Sequence, residues 1–165
     1  MKTLFFALAI LGACFISPSH AQLGTISGKF FVSVDDAAAI MLNGTKIHQA
    51  GIGESSSPEV AIKAGDRLVV NLYNKEGPRR FVLAFLSTDH KKVVSFRNTD
   101  FKIAPGYELK DLSESEIRAL PKTAKETQKK PHKFPFKHTS ESLWGEDTNA
   151  VVACIVRPEI FKEAQ

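Results

Sequence analysis

The chain has 165 residues, of which 43% are hydrophobic and 24% charged, with a formal net charge of +4. That length suits one domain able to bury a core unaided, and so mild a charge implies no polyanion partner by itself. Two cysteines, Cys14 and Cys154, fall too far apart in role to build a disulfide framework: one lies in the leader, the other in an apolar run.

Residues 1–21 read as a secretory signal peptide. Lys2 makes a positive n-region, residues 4–11 an apolar stretch, and Ser19-His20-Ala21 places small residues ahead of a cut before Gln22. The apolar stretch is shorter than the roughly 18 residues that span a bilayer, and no later segment is longer, so no transmembrane segment is expected. Leu11-Gly12-Ala13-Cys14 also resembles a bacterial lipoprotein box, in which a lipidated Cys14 would hold the protein on a membrane surface. The expected location is secreted or periplasmic, and residues 22–165 are expected to form one domain.

After the leader come short strands at close spacing. Residues 29–34 are β-rich and are broken by Asp35-Asp36; residues 39–42 follow, and Asn43-Gly44 is a two-residue hairpin signal because both types tolerate positive φ. Residues 45–48 return, 50–58 read as a Gly/Ser loop, and 59–62 as a strand ending in a turn at 63–66. Residues 67–73 alternate Leu68, Val70 and Leu72 against Arg67, Val69 and Asn71. Residues 79–86 and 92–96 pair around Thr88-Asp89-His90. About seven such strands predict an antiparallel sandwich rather than a βαβ fold.

Residues 105–145 are different: polar, with Pro105, Pro121, Pro131 and Pro135. Ser113 and Glu116 form a capping-box pattern, so a short helix is expected to run to about Leu120, where Pro121 stops it. Residues 122–137 hold six lysines and one glutamate. This segment is expected to be an elaborated loop before a last strand at 151–156, and a loop of that length is usually functional or disordered.

The motifs Val34-Asp35-Asp36, Leu42-Asn43-Gly44, Ala64-Gly65-Asp66, and the steps at 71–74 and 77–81 occur in an order that resembles the galactose-binding-like jelly-roll superfamily. The resemblance covers roughly half of residues 22–165. It implies an all-β, antiparallel jelly-roll-like sandwich; since the superfamily includes carbohydrate-binding modules, accessory domains of secreted glycosidases and purely structural domains, it implies a fold more firmly than a ligand, and it transfers no sugar-binding residue. Residues 62–71 partly mimic a cupredoxin step as well. Blue copper needs a histidine and a methionine after the cysteine, and neither follows Cys154, while Arg79 stands where a histidine would be needed.

The candidate binding residues are aromatic and basic. Trp144, the single tryptophan, with Tyr107 and Tyr73, offers flat rings for sugar C–H faces. Lys133, Phe134 and Phe136 belong to an interleaved basic and aromatic run at 129–138, which suits an anionic polysaccharide, a lipid headgroup or an acidic protein partner; an exported protein rarely meets nucleic acid. Asp35 and Asp36 are candidate ligands for Ca²⁺, or simply turn residues bonding the local backbone; no other cofactor is expected. His132 and His138 lack a zinc-ligand pattern. Cys154 reads as a buried hydrophobe. No G-x-S-x-G elbow or Cys/His signature supports an enzyme. The expectation is therefore an exported binding module for carbohydrate or a cell-envelope glycan, with a structural or protein-interaction domain using the basic loop 122–137 as the alternative.

Overall fold

The computed structural model describes residues 24–106, 111–120, 122–123, 125–128, 134–144 and 147–161. In strand β1 (Ile26–Asp35) Phe30, Val32 and Val34 are fully buried, while Lys29 and Phe31 turn to the other side. This period of two is the expected consequence of a pleated strand with one face on a core. The opposing face comes from β2 (Ala37–Leu42), through Ala38, Ile40 and Leu42. Burying each large apolar side chain of this kind contributes about 1.5–3 kcal/mol relative to exposure.

Two sheets sandwich this core, and every pairing among the described residues is antiparallel. The first sheet runs β11 (Lys125–Gln128), β12 (Ser142–Trp144), β7 (Arg80–Ser87), β1 and β4 (Gly53–Ser56), with β5 (Val60–Ile62) on β1 and β8 (Val93–Ser95) on β7. The second runs β10 (Lys122–Thr123), β9 (Lys102–Pro105), β13 (Asn149–Ile155), β6 (Arg67–Tyr73), β2 and β3 (Thr45–Ala50). The all-β sandwich expected from the alternation is the observed fold.

The hairpin between β2 and β3 turns at Asn43 (φ 49°) and Gly44 (φ 82°), the paired left-handed conformations that the Asn-Gly dipeptide favours. Asn43 is also tied to the next turn: its Nδ2 donates to Asp66 Oδ1 at 3.0 Å, and its Oδ1 accepts from the Arg67 N–H at 2.9 Å. Helix α1 (Glu114–Ala119) begins at Ser113, whose Oγ accepts from the Glu116 N–H while Glu116 accepts from the Ser113 N–H at 2.8 Å; this is the expected capping box.

Two expectations are corrected, and one strand is added. The polar stretch Gly53–Ser56, read as part of a loop, is strand β4, because its backbone pairs with residues 31–34 of β1. Lys102–Pro105, to which the sequence reading assigns no element, is a strand paired with β13. The segment 105–145 is not a loop set apart from the sandwich. It supplies β10 to one sheet and β11 and β12 to the other, and it covers both outer faces. Leu112 and Ile117 bury Val69, Val151 and Ala153 of the second sheet, and Phe134 buries Val82 and Ala84 of the first. That cover explains why β6 and β13 are apolar on both sides. No helix among the described residues is long and apolar enough to cross a membrane. The expected leader at 1–21, with Cys14, lies outside the described residues.

Candidate functional site

On the outer face of the first sheet, Phe31 stands opposite Ala84, and Ala84 opposite Ser95; one step along, Lys29 faces Leu86, and Leu86 faces Val93. Residues 135–139 run beside this surface. Thr139 N–H donates to Ser95 Oγ at 2.9 Å, Phe96 N–H donates to Ser140 Oγ at 3.2 Å, and Glu141 N–H donates to the Phe96 carbonyl at 3.1 Å. These bonds fix the return chain against β8 and leave a groove of about 550 Å³ between it and the sheet, within the size range of small-molecule sites.

The groove's wall is aromatic. Phe136 meets Phe31 edge to face with ring centroids 4.8 Å apart; Phe134 stacks on Phe136 at 5.7 Å and meets His138 at 4.8 Å. Phe134 is almost fully buried against Val82 and Ala84 and serves as the foundation, whereas Phe136 is half-buried and lines the groove. His138 Nδ1 accepts from the Ser140 N–H at 3.2 Å, which fixes the ring against the return chain.

The other rim is the turn between β7 and β8. His90 sits there at φ 59°, and Lys91 follows it. Asp89 shapes the turn: its Oδ1 accepts from Ser87 Oγ at 2.6 Å and from the Lys91 N–H at 3.1 Å. Those two bonds, the serine's first, hold its carboxyl below the usual carboxylate range. A second hollow of about 340 Å³ continues the groove, sharing Phe31, Leu86 and His90 and adding Lys29, Glu59 and Thr88.

Of the residues expected to bind, Phe136 lines this groove and Phe134 supports it. Trp144 is a correction: it is fully buried in the core, with its indole N–H donating to the Asp147 carbonyl at 2.9 Å, so it offers no face to a sugar. Tyr73 is partly exposed but belongs to the second sheet, opposite Asn149, away from the groove. Tyr107 and Lys133 lie outside the described residues. Asp35 ends β1 and pairs in register with Arg80, and Asp36, at the bend that follows, accepts the Lys75 N–H on Oδ2 at 2.5 Å, as expected of an aspartate bonding the backbone. Among the described residues no group of three or more His, Cys, Asp or Glu side chains could hold a metal ion.

The residues missed from the sequence are Phe31, Leu86, His90 and Lys91. Phe31 carried a signal: a large apolar residue on the solvent side of an alternating strand needs a cover or a partner. Compared with protein-family models, with curated proteins and with solved structures, the chain matches none.

Proposed function

We propose that this protein is an exported, non-catalytic binding module for a carbohydrate of the cell envelope, and that the groove on the outer face of its first sheet is the binding site. One observation carries the reading: Phe31, Phe136 and His138 present rings to a preformed groove whose rim bears Lys91 and Lys137. Aromatic faces bind sugar C–H surfaces, and the surrounding donors orient hydroxyls. The galactose-binding-like resemblance over residues 31–105 bears on the fold and is compatible with such a ligand, since the superfamily includes carbohydrate-binding modules.

A glycan array tests this, with the wild-type protein beside Phe136→Ala. The reading expects discrete glycan binding that the variant loses while keeping its fold. An array without any bound glycan contradicts it. A second reading, a protein-interaction domain, draws on the burial of Trp144 and on β11, an edge strand inside the basic segment with one strand neighbour among the described residues. Such an edge can accept an added strand from an acidic partner.

A further inference from the structure

We infer that the ligand of this groove is an acidic glycan, seated with a negatively charged sugar in the larger compartment and a neutral sugar in the smaller one. This rests on the binding-module reading above and gives its ligand a charge and a direction.

The larger compartment is lined by the cations Lys91 and Lys137 with the imidazoles of His90 and His138, and among the described residues its lining contains no carboxylate. Both lysines are exposed, and neither takes part in a salt bridge among the described residues. Asp89, the acid nearest in the turn, has Oδ1 engaged by Ser87 and the Lys91 N–H. The Lys91 ammonium also acts on the Asp89 carboxylate of its own turn, yet with Lys137 it gives the groove a surplus of positive charge, while Phe31 and Phe136 offer the apolar surface that a bare anion would not need. Cations beside aromatic rings fit a charged sugar ring better than either a free anion or a neutral sugar.

The smaller compartment is balanced in charge, with one carboxylate and one lysine on its wall. Glu59 lies on its wall and accepts from Thr88 Oγ1 at 2.8 Å, beside Ser87 and a single cation, Lys29. A carboxylate there repels a second anion and accepts hydrogen bonds from neutral hydroxyls. Because the compartments share Phe31, Leu86 and His90, one chain can occupy both.

The test is calorimetric titration of the purified protein with a tetrasaccharide alternating a uronic acid with a neutral sugar, and with its carboxyl-reduced counterpart. The acidic form is expected to bind at least roughly tenfold more tightly. Raising salt from about 50 to about 500 mM should weaken only the acidic form, since exposed charges are screened. A Lys91→Ala/Lys137→Ala double variant should bind both forms equally, and Glu59→Gln should improve binding of a chain acidic at every unit. Equal affinity of the wild type for the two forms, or a preference kept by the double variant, overturns the charge assignment and leaves the binding-module reading standing. An unchanged Glu59→Gln overturns the two-compartment arrangement. No binding of either form overturns both.

Discussion

Replacing Trp144 with alanine separates a core residue from a ligand platform. The indole is fully buried, next to Leu143, whose own side chain is also buried, and its N–H reaches the Asp147 carbonyl at 2.9 Å. Truncating a buried tryptophan to alanine costs about 3–5 kcal/mol through lost transfer energy and the cavity left behind. The lost hydrogen bond contributes about 1 kcal/mol of that kind of loss by itself. Against a typical domain stability of about 5–15 kcal/mol, Trp144→Ala is a severe change. With a urea slope of about 2 kcal/mol/M, the unfolding midpoint should fall by roughly 2 M. Trp144→Phe keeps most of the packing, forgoes the hydrogen bond, and should lose about 1–2 kcal/mol. Urea melts followed by far-UV circular dichroism measure both. Glycan binding by folded Trp144→Phe should equal the wild type's. A midpoint unchanged in Trp144→Ala, or binding abolished in a stable Trp144→Phe, would refute the placement of this side chain.

Three further outcomes follow from the packing and the titrating groups. A Cβ at Gly28 would lie 2.2 Å from the Leu86 carbonyl oxygen and 2.8 Å from Ser87 Cα, both backbone atoms, so Gly28→Ala should destabilise by about 3 kcal/mol in the same melts, whereas Gly51→Ala, with nothing within 4 Å, should be near neutral. Burial holds His48, whose Nε2 lies 2.8 Å from Ser55 Oγ, below its ordinary pKa of 6.5. The unfolded chain therefore takes up this proton first as pH falls; stability from this group is full above pH 6.5 and declines as pH drops toward the lower folded value, and His48→Gln should flatten that part of the pH–stability curve. Burial, with a smaller push from Asp100 and an opposing one from Arg157, raises the pKa of the Cys154 thiol far above the ordinary range, so a thiol reagent should label it only when denaturant unfolds the protein.

Local grammar was readable where one strand or turn carries its own signal. The alternation of residues 67–73 marks β6 with the bounds it has, Asn43-Gly44 turns as its dipeptide predicts, and Ser113 with Glu116 caps the helix that Pro121 follows. β4 escaped because Gly53-Glu54-Ser55-Ser56 has the composition of a loop; it is a strand through backbone pairing to β1, which leaves no side-chain signature. Trp144 escaped because a three-residue strand shows no period, so burial and exposure read alike. The groove was half legible. Phe136 and Lys137 stood out as a basic and aromatic run, but the surface that run folds onto, with Phe31 and the turn at His90, is a long-range contact that no local pattern encodes.

The most direct test of the groove as the binding site is amide chemical-shift mapping of the isotope-labelled protein during titration with a glycan selected on the array. The account predicts shifts clustered at Phe31, Leu86, residues 90–95 and residues 136–139, with the second sheet silent. Shifts centred on Tyr73 and the outer face of the second sheet, with none in the groove, would contradict it.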